Sequence, residues 1–222
     1  MALNQLQVGA PSNTSLSDGA NPGQLSGKQA EGIVAELHGK YYTQNYRGNL
    51  FYASNAGAGS TYSIFSNASF TGLGLRNLST TKNLVIVRTI LGLNGAAATA
   101  EGAFGYAWLP AAGTTIGTAA PLSAVTAITA TRGAGICGLP GQGNSVAGAY
   151  SAATLTTAMA WGRGAPFSSS TGAITTQIAI GGLVDEVDGT MIVPPGCFWT
   201  LTTAIATGGT FQGTVVWEEV GI

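Results

Sequence analysis

The chain has 222 residues, enough for one large β-sandwich, and 45% of them are apolar, so burying a core poses no difficulty. Charged residues make up only 8%, against roughly a quarter in ordinary soluble domains, and from Glu101 to Ile180 the only charges are Glu101, Arg132 and Arg163. With a net charge of −1 and no basic tract, the chain offers no face built for nucleic acid, which would need clustered Lys and Arg.

Residues 1–26 are rich in Asn, Ser, Gly and Pro without hydrophobic periodicity, and are expected to form an extended N-terminal arm. No positive segment followed by an apolar core opens the chain, so a secretory signal is not expected. No apolar run reaches the length of a membrane span. Residues 27–48 are expected to hold a helix and an aromatic linker. Ser26 and Gln29 have capping-box spacing; Ala30, Ile33, Val34, Leu37 and Tyr41 form one apolar stripe, and Gly39 stands where a C-terminal cap belongs. The spacing predicts one short α-helix from Lys28 to His38. Tyr41, Tyr42, Tyr46, Phe51 and Tyr52 then surround Arg47 as a packed junction.

From residue 49 the chemistry turns to β, and 49–222 is expected to be a single domain. Runs of Thr, Ile, Val and aromatics punctuated by Gly, Asn and Pro predict strands at 49–54, 61–71, 83–93, 103–109, 123–131, 154–161, 174–182, 190–193, 197–206 and 210–219. KNLVIVRTILGL, residues 82–93, is the strongest buried strand. Pro194, Pro195 and Gly196 turn the chain, and Phe198–Ala206 with Phe211–Glu219 predicts a terminal hairpin around Thr207–Thr210. No helical pattern alternates with the strands, so the fold class expected is all-β: a β-sandwich of jelly-roll type.

Motifs that could carry chemistry are sparse. Gly133, Gly135 and Gly138 match a dinucleotide-loop spacing, but Leu139, Pro140, Gly141 and Gly143 cannot continue it as the helix that holds pyrophosphate. His38 is the only histidine, and Cys137 and Cys197 show no paired ligand spacing, so no catalytic residue, cofactor or metal site is assigned. Two reduced core thiols are the default for Cys137 and Cys197, with one bridge between them as the alternative. Asp185, Glu186 and Asp188, followed by Gly189, form an acidic cluster read as a solvated turn before a strand at 190–193, with a Ca²⁺ site as the alternative. Asn13, Asn67 and Asn77 begin sequons that a Ser/Thr-rich composition produces by chance. Glu218 and Glu219 read as a charged, exposed strand end. Trp108, Trp161, Trp199 and Trp217 lie in β runs, where burial is the ordinary outcome.

A surface so poor in charge suits burial against neighbouring subunits, which desolvates no ions; a monomer with a neutral, hydroxyl-rich surface is the plainer alternative. Three segments, HGKYYTQNYRGNLFYAS (38–54), TGLGLRNLSTTKNLVIVR (71–88) and DGTMIVPPGCFWTLTTAIATGGTFQGTVVWEEV (188–220), resemble structural proteins encoded by bacteriophages and found in environmental viral sequences. The resemblance implies a virion role, a jelly-roll sandwich and symmetric assembly, and it brings no catalytic residues. The expected function is therefore non-enzymatic. The chain would be a capsid or capsid-decorating subunit, assembled in the host cytoplasm, whose partners are copies of itself, with a trimer favoured, and other virion proteins. The alternative is a host-attachment spike or fibre head that binds surface glycan or protein through its loops.

Overall fold

The computed structural model describes residues 6–7, 24–25, 41, 49–55, 59–67, 69–94, 98–110, 131–132, 145–155, 157–169 and 183–222. The chain divides into two compact units, Met1–Thr43 and Gln44–Ile222. In the first, β1 (Leu6–Gln7) pairs in parallel with β2 (Gln24–Leu25). The helix expected at 28–38 lies outside the described residues. So do Tyr42, Tyr46, Arg47, the strand expected at 174–182 and most of that expected at 123–131.

The second unit is all-β, with no helix among the described residues. Its strands are β3 (Leu50–Ser54), β4 (Ser69–Asn77), β5 (Lys82–Leu93), β6 (Gly102–Leu109), β7 (Thr131–Arg132), β8 (Ala147–Thr154), β9 (Ala160–Ser169), β10 (Leu183–Val193), β11 (Phe198–Thr203) and β12 (Phe211–Gly221). They form two five-stranded sheets, ordered β10-β5-β12-β3-β7 and β8-β4-β11-β6-β9, with every pairing antiparallel.

Alternation along each strand sends one set of side chains to a core that both sheets share. The first sheet contributes Phe51, Leu84, Ile86, Val187, Val215 and Trp217; the second contributes Leu73, Leu75, Phe104, Tyr106, Trp199 and Leu201. Phe51 stacks on Trp217 at 6.0 Å across the β3–β12 register, and Tyr106 on Trp199 at 5.4 Å. Such layering is that of a β-sandwich.

The second sheet also carries an apolar cluster on its opposite face. Phe70, Ala107, Tyr150 and Phe198 alternate with the core residues of the same four strands, and Leu155 and Met159 close over them. Gly74 makes room for this: a Cβ there would collide with the Phe198 ring. As a result all six residues of β11 are buried.

Three expectations about strands need correction. The terminal hairpin does not form, because β11 and β12 belong to different sheets and Thr207–Thr210 crosses between them. The Pro194–Gly196 turn makes the same kind of crossing from β10 to β11, with Gly196 at φ 76°. No continuous strand covers 61–71: Ser60 and Ile64 make isolated bridges, Tyr62 turns into the core, and β4 starts at Ser69. The strand expected at 154–161 is instead a junction, since Leu155 and Met159 tuck into the outer cluster and the Met159 N–H donates to the Phe65 carbonyl at 3.1 Å.

Candidate functional site

β9 ends the second sheet and β10 ends the first, and Arg163 of β9 reaches Asp185 of β10 between them. A groove of about 470 Å³ lies there, lined by Trp108 and Trp199 from the second sheet, Met191 and Val193 from the first, and Pro194 and Cys197 from the crossing turn; Arg163 of β9 stands at its side. Trp108 and Trp199 face each other in the β6–β11 register. Trp199 is fixed by its stack on Tyr106, whereas Trp108, at the mouth, is 44% exposed. Trp199 leaves its buried indole N–H without a hydrogen-bond partner among the described residues.

Arg163 is held by two partners, Asp185 and Tyr106. Its Nη2 donates to Asp185 Oδ2 at 2.6 Å, its guanidinium lies 5.3 Å from the Tyr106 ring centroid, and Tyr106 and Arg163 are cross-strand partners. The Tyr106 hydroxyl donates to the same Asp185 oxygen at 2.6 Å and shares a 2.6 Å hydrogen bond with Thr89. Burial, and secondarily the bond to Asp185, pushes the Tyr106 phenol well above its ordinary value of 10.0. It therefore stays a protonated donor at neutral pH. The Asp185 side chain is 12% exposed while that of Arg163 is 44% exposed, so the carboxylate is the buried anchor and the guanidinium reaches solvent. The arrangement presents the exposed Trp108 ring and a positioned guanidinium whose charge Asp185 offsets.

The acidic cluster is accordingly not the solvated turn expected. Asp185 and Glu186 lie within β10, Asp185 inward and Glu186 outward in an ion pair with Arg88 at 2.6 Å. Asp188, at φ 49°, and Gly189, at φ 78°, form the irregularity between Glu186 and Met191 in the β10–β5 register. The signal was in the sequence: Val187, two residues on, shares the face of Asp185 and marks that face as the inner one. Among the described residues no three His, Cys, Asp or Glu side chains group where they could share a metal ion. His38, Cys137, Asn13 and the 133–138 glycines lie outside the described residues.

Cys197 is a free, half-buried thiol. Trp199 and Trp217 are buried as expected, Trp161 is half-buried, and Trp108 is 44% exposed. Glu219 is not an exposed end: its carboxylate accepts from Lys82 at 3.2 Å, from Ser145 Oγ at 2.8 Å and from the Val146 N–H at 2.7 Å. Asn77 is fully buried, its amide donating to the Lys82 and Val193 carbonyls at 2.8 Å each, so the folded chain hides that sequon.

Set against known families, curated proteins and solved structures, the chain matches none. Function must be argued from the fold and the site. No helix among the described residues is long and apolar enough to cross a membrane.

Proposed function

We propose that the chain is a structural subunit of a virus or bacteriophage particle, a capsid or capsid-decorating protein that acts by assembly and not by catalysis. The observation that carries this reading is the exposed surface of the sandwich. β10, an edge strand, exposes Leu183, Val184 and Ile192, and the β12 end exposes Val220 and Ile222. A free monomer usually blunts an edge strand with charge, because unpaired edges and apolar patches invite association. Between Val184 and Ile192 the exposed acids are Glu186, which pairs with Arg88, and Asp188. Contacts with copies of the chain would bury such a surface at little desolvation cost.

The strand order supports the jelly-roll part of the reading. Leaving aside β7 and β8, which each end one sheet, and taking β3, β4, β5, β6, β9, β10, β11 and β12 as strands one to eight, one sheet runs six-three-eight-one and the other two-seven-four-five. That is the order of a jelly roll, an architecture used by viral capsid domains among others. Because one fold serves many functions, the order supports a sandwich suited to assembly, and the surface argues for the assembly itself.

In this role the sandwich is a rigid block, its neutral faces bury against neighbouring copies in a closed oligomer, with a trimer favoured, and its place is the virion. Sedimentation velocity and negative-stain microscopy of the purified full chain test the proposal, with mass spectrometry of purified particles giving its copy number. A concentration-independent monomer that is also missing from particles would end it.

A further inference from the structure

On the basis of the assembly reading, we infer that the outer face of the first sheet docks a second copy of the chain about a two-fold axis. Alternation turns Val187, Ile86 and Trp217 into the core, so Val184 and Ile192 of β10, Val85 and Ile90 of β5 and Val216 of β12 stand on the opposite face. The register sets them side by side, Val184 against Ile90 and Ile192 against Val85. Val184 and Ile192 are exposed and the other three half-buried. The second sheet packs Leu155 and Met159 over its own outer face, and among the described residues no such cluster covers the first. The strand edges are poorly suited to hydrogen-bonded pairing with another copy. β10 is irregular at Asp188 and Gly189, and Pro166 of β9 has no N–H to offer. The face is what remains.

Charge and area select a second copy as the occupant. Arg88 is 41% exposed on this face, paired with Glu186 at 2.6 Å, and stands opposite Val216 in the β12–β5 register. Glu218, two residues further along β12, lies half-buried on the same face opposite Val85. Burial pushes its carboxyl up, and no described cation offsets it. An isologous contact exchanges two neighbouring positions, so one axis can bring Arg88 onto the partner's Glu218 and Glu218 onto the partner's Arg88. A partner with no cation there would dry the carboxylate and leave it unpaired. With strands about 4.8 Å apart that rise about 3.4 Å per residue, β10, β5, β12 and β3 present roughly 600 Å² of face. Two copies face to face cover about 1,200 Å², which reaches the range of stable specific interfaces. The contact is two-fold, so it is compatible with trimers, which it joins in pairs.

The test is sedimentation velocity of the full chain over a range of concentrations, for the parent, Arg88→Glu, Glu218→Arg and an equimolar mixture of the two variants. Dimers or larger even-numbered oligomers are expected for the parent. Each variant alone sets like charges against each other at both contacts and should associate at least about tenfold more weakly. The mixture restores opposite charges at both contacts and should recover the parent's association. Both positions lie outside the core, and urea unfolding verifies that each variant is folded. Variants that associate as the parent does, or a mixture that recovers nothing, would overturn this contact and leave the assembly reading standing. A parent found only as a trimer would do the same. A parent that stays monomeric at every concentration would overturn the contact, and its absence from particles would end the assembly reading as well.

Discussion

The two sheets are built from the same kinds of residue and differ in what covers them. The second sheet is packed on both faces at β11 and leaves its edge strand β9 largely exposed: Trp199 and Leu201 of β11 enter the shared core, and Phe198 enters the outer cluster with Phe70 and Tyr150 at ring distances of 5.4 and 6.0 Å. In the first sheet β10 alternates instead, with Asp185 and Val187 inside and Val184, Glu186 and Ile192 outside. The fully buried strand has no surface to offer, so contacts with other molecules fall to exposed strands such as β9 and β10. That division of labour can be broken at measured cost.

The largest effect is expected in β11. If the outer cluster is a true second core, Phe198→Ala costs about 3–5 kcal/mol, as large as truncating Leu201 on the opposite face at about 2–5 kcal/mol. Urea unfolding of both variants compares them directly. A Phe198→Ala loss below about 1 kcal/mol would mean that the outer face behaves as surface.

A smaller effect is expected at the buried carboxylate between the sheets. Asp185→Ala removes the acceptor of both Tyr106 and Arg163. Thr89 can still satisfy Tyr106, and Arg163 can turn to solvent, so the loss should be about 2 kcal/mol and not more. A stability change under about 0.5 kcal/mol would show that the pair behaves as an exposed ion pair.

How much of this was legible in the sequence follows the same division. β5 and β12 were visible because apolar residues recur through them and the flanking loops punctuate them. β11 was placed correctly, but its burial on both faces was not legible, because alternation in Phe-Trp-Thr-Leu-Thr-Thr fits a solvated threonine face equally well. In the fold those threonines are buried and satisfied, Thr200 donating to the Leu73 carbonyl at 2.9 Å and Thr202 to the Ser63 carbonyl at 2.6 Å. A hydroxyl that finds a backbone acceptor looks, in sequence, identical to one that finds water. Whether Thr207–Thr210 closes a hairpin or crosses between sheets was equally hidden, since both use the same turn residues. Asp185 misled because acids usually mark solvent, and its partners are 79 and 22 residues away along the chain. The groove had no local signature at all, since it is assembled from four strands and a turn.

Alkaline pH should weaken the shared core by a modest and predictable amount. Burial raises the phenols of Tyr62 and Tyr106 above their ordinary 10.0, so both remain protonated in the fold while the unfolded chain ionises. Their contribution is thus fully present below pH 10.0 and is lost as pH rises beyond it. The expected slope is about 1.4 kcal/mol per pH unit for each tyrosine. Urea midpoints measured from about pH 9 to about pH 11 test this, and Tyr106→Phe should remove one tyrosine's share of the slope, with Tyr62 and Tyr150, whose phenol burial also raises, keeping theirs. An unchanged slope in that variant would mean that Tyr106 ionises in the folded chain.

The smallest expected effect on stability belongs to the open face of the first sheet, and it is the most informative about assembly. Val184 is 46% exposed on β10, opposite Ile90 in the β10–β5 register. Val184→Lys changes no buried contact of the core, so its unfolding free energy should move by less than about 0.5 kcal/mol. A lysine there nevertheless adds charge to an edge strand, the device that blocks edge-to-edge association. If this face meets other copies, sedimentation velocity should show the oligomer shift toward monomer while urea unfolding of the monomer is unchanged. Equal sedimentation of variant and parent would exclude this face of β10 from the interface and leave assembly to other surfaces.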